Sequence, residues 1–294
     1  SRRDRKYHLD FEQGRKSNNE NPLLELGLRR LDELFSSQIP PIICYNLLMT
    51  IITSKSNNLI KKTKKLLKKK YREHSYLIEG WHLFEEAQKA DAEFLNIFVL
   101  EEFSDRVEGL SHVTYVTPEV LKELTDSKTP QGIIAEVVMP SLPLADLKAG
   151  RYLVLEDVQD PGNVGTMIRT ADAAGLDGVL ISEKTADIYN QKTLRSMQGS
   201  HFHLPVWRTN VYEACQKLQS LGVPLVATTL SKDSVDYKTV EHKGEFALVM
   251  GNEGNGISEQ MTKQADILAH IIMPGQAESL NVAVATGIVL FSLI

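Results

Sequence analysis

The residues best able to do chemistry fall in three clusters. The first is a glycine-rich string, Gly251-Asn252-Glu253-Gly254-Asn255-Gly256, directly after an apolar run at 246–250. Three glycines in six residues free the backbone and let a ligand approach it closely. No Lys-Ser/Thr pair follows them, so this is not a P-loop, and the spacing is not that of a G-x-G-x-x-G fingerprint. The chemistry on offer is ligand binding by backbone groups, without a phosphate cradle. The second cluster is Ser279-Leu280-Asn281, just past the Pro274-Gly275 turn, where two polar side chains bracket the start of a small-residue helix. The third is Asp157-x-x-x-Pro161-x-Asn163-x-Gly165-x-x-x-Arg169-Thr170. Taken singly, each has a plainer reading: the glycines as a connector, Asn163 as a helix N-cap, Arg169 and Thr170 as an exposed helix pair.

The clusters need elements to bring them together, and the chain supplies alternating strands and helices. Residues 152–156, 179–181, 204–207, 225–230, 246–250 and 267–273 read as strands by length and β-branched content. Between them, Asn163 is placed to cap a helix ending at Gly175, and Asn210 with Glu213 resembles a capping box opening a helix to Gly222. Ser258 is placed to cap a short helix. This alternation predicts a parallel sheet with helices on both faces. Ligands of such sheets bind at the carboxyl ends of the strands, where all three clusters would sit. The last helix, from Asn281, is apolar nearly all round and so predicts burial on most sides. At fourteen residues it is too short to span a membrane.

Upstream, residues 76–79, 94–100, 113–116 and 133–138 read as strands, with helices at 81–89 and after Thr117-Pro118-Glu119. They predict a small α/β layer over residues 49–139. Residues 140–150, with Pro140 and Pro143, read as a linker to a second domain at 151–294. Residues 1–48 carry no chemistry, and Met49 resembles a protein start. They are expected to be an extension, non-native or disordered, and are set aside from fold reasoning.

The chain has 294 residues, 42% hydrophobic and 24% charged, enough for about two domains with full cores. Two cysteines, Cys44 and Cys215, argue against a disulfide framework and for a reducing cytosol. His201-Phe202-His203 is the only close histidine pair. It has no cysteine or carboxylate beside it in sequence, so no metal site is expected. The net charge of -5 hides an asymmetry: residues 49–80 hold nine basic groups against two acidic ones, and everything after them sums to -13. A basic helix at 59–71, capped by Asn57 or Asn58, would present Lys61, Lys62, Lys65, Lys68 and Lys69 to a polyanion. The alternative is a solvated helix face.

Together, in this order and at this spacing, the Asp157–Thr170 string, Met250-Gly251-Asn252-Glu253-Gly254, and Met273-Pro274 with Ser279-Leu280-Asn281-Val282-Ala283 resemble the three motifs of the SpoU (TrmH-like) RNA ribose methyltransferases. The resemblance covers residues 49–294, the first part being similar to that family's ribosomal-protein-like RNA-binding domain. It implies a SPOUT fold, a parallel sheet whose C-terminal segment is threaded into a deep trefoil knot. It also implies a cytoplasmic homodimer acting on RNA, ribosomal rather than transfer, with S-adenosylmethionine as cofactor. Carried over residue by residue, Thr228, Thr229, Leu230, Gly251, Met273 and Leu280 would line the cofactor site.

The implied reaction is methyl transfer to a ribose 2′-hydroxyl, with Arg169 as the residue the resemblance marks for catalysis. Asn163 would bond the ribose, Glu253 would orient Arg169 or a partner's loop, and Ser279 and Asn281 would hold the substrate end. A guanidinium with a pKa above about 12 is a poor base, so Arg169 is read as a phosphate clamp that also polarises the hydroxyl. The rival class is a non-catalytic RNA-binding assembly factor. Such a protein would be expected to lose Arg169 or the Ser279/Asn281 pair, and both are present. A base-modifying SPOUT enzyme is disfavoured by the pairing of Asn163 with Arg169.

Overall fold

The computed structural model describes residues 50–241 and 244–294. The expectations for residues 1–48 lie outside the described residues. Two sheets organise the rest. The first is four-stranded and mixed, ordered β1-β4-β2-β3, with β1 Ser75–Glu79, β2 Phe94–Val99, β3 Val113–Tyr115 and β4 Ile133–Val138. Period-2 alternation splits its strands between two cores. Leu77, Phe98 and Ile134 pack under Ile60, Val116, Val120 and Leu121, while Tyr76, Ile78, Ile97 and Ala135 face the other way.

The second sheet is seven-stranded and parallel, ordered β7-β6-β5-β10-β8-β11-β9. Its strands are β5 Arg151–Leu155, β6 Gly178–Ile181, β7 Val206–Arg208, β8 Leu225–Thr228, β9 Val235–Asp236, β10 Phe246–Met250 and β11 Ile267–His270. Central β10 is buried at every residue, because helices cover both faces. That is why it reads as an unbroken apolar run. The expected parallel α/β fold is present.

Three local expectations are corrected. The basic helix at 59–71 is instead α1 Asn58–Lys64 followed by two 3-10 turns, Lys65–Leu67 and Lys69–Tyr71, with Lys68 extended between them. Lysines at i, i+3 and i+4 repel one another along one helix, and no acidic residue interleaves to offset them. The cap itself is Asn57, whose side chain accepts from Leu59 N. Second, Asn163 does not cap its helix. That helix, Pro161–Ala173, starts with Pro161 in its first turn, so the cap falls on Asp160, whose Oδ1 accepts from Asn163 N at 2.9 Å. The Asn163 side chain is thereby free for other work. Third, the last helix, Val282–Leu293, buries Thr286, Val289, Leu290 and Leu293 but leaves Val284 and Phe291 more than half exposed.

The remaining helices are α2 Trp81–Lys89, α3 Pro118–Leu121, α5 Gln191–Met197, α6 Val211–Ser220 and α7 Glu259–Gln264, so Pro161–Ala173 is α4 and Val282–Leu293 is α8. Of these, α5 was not anticipated. Its N-cap Asn190 accepts from Lys192 N, and it packs closely on α4. Gly165 of α4 permits that approach: a Cβ there would lie 2.6 Å from Thr193 O. Residues 140–150 do not hang free, since Leu147 is buried and Lys217 Nζ holds the carbonyls of Leu144 and Ala145 at 2.7 and 2.8 Å. Residues 50–294 form one compact unit.

Candidate active site

A cavity of about 490 Å³ opens at the carboxyl ends of β8, β10 and β11. Thr228, Thr229, Leu230, Gly251, Met273 and Leu280 all line it, so the six residues assigned to the cofactor from the sequence come together. Glu253 and Ser279 line it as well; Asn163, Arg169 and Asn281 do not.

The glycine-rich loop is shaped from within. Asn252 and Gly256 exchange backbone hydrogen bonds of 2.9 Å, and Asn252 Oδ1 accepts from the amides of Gly254 and Asn255. The Asn252 side chain also donates to Asp157 O at 2.9 Å, tying the loop to the end of β5. This bracing role was missed in the sequence, although an Asn heading a glycine-rich turn is the usual signal for a side chain that closes on backbone amides two and three residues on. Beyond the loop, buried Glu156 accepts from Ser258 N at 2.8 Å and from the Tyr212 hydroxyl at 2.6 Å. That fixes the start of α7, where Ser258 Oγ caps Met261 N as expected.

One hydrogen-bonded chain joins the three motifs. Glu253 accepts from the amides of Gln159 and Asp160 at 2.9 Å and from Asn163 Nδ2 at 3.1 Å. Asn163 Oδ1 in turn accepts from Asn281 Nδ2 at 3.0 Å. Asn281 keeps its own Oδ1 for the amides of Ala283 and Val284, which caps α8 and sets which way its amide points. Partial burial pushes the Glu253 carboxyl up, but the Gln159 and Asp160 amides and the Asn163 amide group outweigh it and hold it below the usual carboxylate range. Glu253 is therefore an anion built into the site.

Glu253 was expected to orient Arg169 or a partner's loop; within this chain its oxygens accept from residues 159, 160 and 163 and not from Arg169. Arg169 lies six residues beyond Asn163, about 9 Å further along the helix axis. It is exposed, with no hydrogen bond or ion pair to another described residue. A guanidinium so placed has all five donors available. The basic segment stands apart from the cavity. Lys61, Lys62, Lys65, Lys68 and Lys69 are exposed, and none of them forms an ion pair with another described residue, whereas Lys55 and Lys64 are paired with Glu123. His203 has no carboxylate beside it in sequence, and the fold brings it two, Asp172 and Glu86.

This geometry has close counterparts. Residues 150–291 match the SpoU rRNA Methylase family, and residues 57–135 match an MRM3-like substrate binding domain. The chain is 42% identical over 250 residues to the 23S rRNA (guanosine(2553)-2'-O)-methyltransferase RlmP of Bacillus subtilis, covering 83% of this chain and 99% of that one. Among solved structures it is similar to an AdoMet-bound rRNA methyltransferase from Sinorhizobium meliloti, at 34% identity and a TM-score of 0.77, covering 83% of this chain and 97% of that one. It is also similar to the SpoU methyltransferase AviRb of Streptomyces viridochromogenes in complex with AdoMet, at 25% identity and a TM-score of 0.72, covering 81% and 97%. Three motifs joined by one hydrogen-bonded chain, on a parallel sheet shared with such relatives along nearly their whole length, lead to one assignment: the chain belongs to the SpoU rRNA methylase family.

Proposed function

We propose that this protein methylates the 2′-hydroxyl of a ribose in ribosomal RNA, with S-adenosylmethionine as donor. The observation that carries the reading is the Glu253–Asn163–Asn281 chain beside a cavity of about 490 Å³. The donor fits there. The volume lies within the range of about 300–1,000 Å³ usual for such sites, and Leu230, Met273 and Leu280 give apolar walls beside the accessible backbone of Gly251. When bound, it supplies an electrophilic methyl group on a sulfonium.

The chain's own residues do the rest. Asn163, held by Glu253 on one side and Asn281 on the other, has an amide hydrogen to spare for a ribose oxygen. Arg169 binds the adjoining phosphate and polarises the 2′-oxygen as it gains charge, the proton passing to solvent. Ser279 and Asn281 hold the substrate end, and Glu253 acts by orienting Asn163. This alignment is the main task, since a weakly acidic hydroxyl must be presented in line with the methyl group.

The C-terminal segment is read as a trefoil knot: β10 lies between β5 and β8, and α8 returns to pack on α4. Exposed Val284 and Phe291 on α8, with Leu280 before it, are read as a homodimer face. Sedimentation at twice the chain mass is expected, and a fully active monomer would exclude the dimer. Work on ribosomal RNA supports the cytoplasm as its compartment. The test of function is a map of ribose methylation on 23S rRNA from cells with and without the protein. One ribose should lose its methyl group, and an unchanged map would leave the assembly-factor reading.

Lys61, Lys62, Lys65, Lys68 and Lys69 are assigned to RNA phosphates. Neutralising all five should weaken RNA binding and flatten its dependence on salt, by roughly 0.7 in log–log slope per lost single-strand contact. Donor affinity should not move, as none of the five lines the cavity. An unchanged salt slope in a folded variant would remove them from the interface.

A further inference from the structure

The turn at residues 198–203 sits where the two sheets meet, and three side chains of the first layer fasten to it. His82 Nε2 donates to Gln198 O at 3.0 Å, and Tyr76 Oη shares a hydrogen bond of 2.9 Å with His201 Nε2. Glu86 Oε2 lies 2.8 Å from His203 Nε2. The approach is close because Gly199, at φ +94°, has no side chain: a Cβ there would lie 2.9 Å from Glu86 Cγ.

His203 continues the connection into the catalytic sheet. Its other ring nitrogen, Nδ1, lies 2.8 Å from Asp172 Oδ2. Asp172 is on α4, three residues after Arg169 and so on nearly the same side of that helix. A neutral imidazole has one donor and could satisfy one carboxylate only. The imidazolium has two and satisfies both. One protonated ring thus ties α2, in the layer carrying the basic segment, to α4, which carries Asn163 and Arg169.

We propose that His203, as its imidazolium, is a positioning residue for methyl transfer: it holds α4 in register with the RNA-binding layer, so that Arg169 and Asn163 meet the ribose of an RNA gripped by the other sheet. This rests on the RNA ribose methylation reading. The charged groups at the ring are Glu86, with its ion-pair partner Lys89, on α2 and Asp172 on α4; the other titratable group, within the turn, is His201. The Asp172 hydrogen bond raises the His203 ring above its ordinary range; burial opposes it, and the Glu86 carboxylate adds to the rise. Glu86 is held down to about 2 by Lys89 and His203. Burial keeps His201 neutral, down at about 3, so it does not compete for the carboxylates. The sign follows from the raised His203 value. The clamp is complete below the ordinary histidine range and is lost as pH rises through the folded value.

The test compares wild type, His203→Gln and His203→Lys across pH, with 23S rRNA transcript and S-adenosylmethionine. Glutamine keeps a hydrogen bond without charge; lysine keeps the charge to high pH but reaches one carboxylate. His203 is 41% exposed, so both variants should fold. At low pH, His203→Gln should lose about tenfold in kcat, with KM for donor and RNA little changed, because each partner still binds its own sheet while their alignment suffers. The wild-type to Gln ratio should fall toward one as pH rises, and the Lys to wild-type ratio should rise. A ratio near one throughout, one constant with pH, or a loss confined to KM for the donor would overturn the proposal. The thermal midpoint against pH, which needs no substrate, reads the clamp separately. If the wild-type advantage there fades with rising pH while no RNA is methylated, the clamp stands and the RNA reading fails. If no pH-dependent advantage appears, the clamp fails.

Discussion

Replacing Arg169 with alanine should lower single-turnover methyl transfer by about a hundredfold or more, with S-adenosylmethionine binding intact. The magnitude is that of removing one preorganised donor from a developing oxyanion. The contribution appears mainly in the transition state, because charge on the 2′-oxygen grows only as the bond to the methyl carbon forms. Arg169 is exposed and makes no hydrogen bond or ion pair with another described residue, so alanine there should also leave the thermal midpoint nearly unchanged. Lysine should rescue little: it offers a point charge where a planar fork would hold phosphate and hydroxyl together. Calorimetric donor binding beside single-turnover rates at saturating RNA separates the possibilities. Near-normal rates in a folded Arg169→Ala protein would return this residue to the helix surface as a bystander. Lost donor binding would mean that Arg169 belongs to a different part of the site.

Gly251→Ala should abolish measurable donor binding, a loss of about a hundredfold or more, and should also destabilise the fold. A Cβ at this position would lie 2.1 Å from Gly256 C and 2.3 Å from Ile257 N. Both are backbone atoms, locked by the reciprocal Asn252–Gly256 hydrogen bonds, so neither can swing aside. The loop must open, and Glu253 moves with it, taking away the hold on Asn163. Overpacking of this kind costs about 1–3 kcal/mol, which in a chain of this size lowers the thermal midpoint by several degrees. Gly287→Ala is the natural control. Its Cβ meets nothing nearer than Thr170 Cγ2 at 4.0 Å, and alanine is the better helix former. Isothermal titration with the donor, beside melting curves, checks both variants. Normal donor affinity in Gly251→Ala would show that the loop tolerates opening and that the backbone argument is wrong.

Much of this was legible in the sequence because the relevant signals are local. Trp81–Lys89, Ile133–Val138 and Phe246–Met250 fall where length and apolar pattern put them. Asn57, Asn210, Ser258 and Asn281 cap the helices they precede. The parallel sheet followed from strand–helix alternation, and the cavity gathers six residues drawn from four separate stretches of sequence. What sequence did not convey was which groups meet across long separations. Asn163 has the chemistry of a cap, and only Pro161 and Asp160 decide that the cap lies elsewhere. The hydrogen bond from Asn163 to Glu253 spans 90 residues, and that from His203 to Glu86 spans 117. No periodicity encodes such pairings. The break of the basic helix after Lys64 was legible in principle, from lysine repulsion without interleaved acids.

The place of β10 has a further consequence, for how the chain reaches this structure. β10 fills the slot between β5 and β8, about a hundred residues after one neighbour and twenty after the other. Until it arrives, both neighbours present bare apolar edges, and the sheet exists only as two unjoined parts. Contacts of such long sequence separation make assembly slow, because loop closure must precede any gain from pairing. The newly made protein therefore passes through a stage in which its most water-averse strands lie open to other chains. Refolding yield should fall as protein concentration rises, since unpaired strand edges in such a stage favour aggregation.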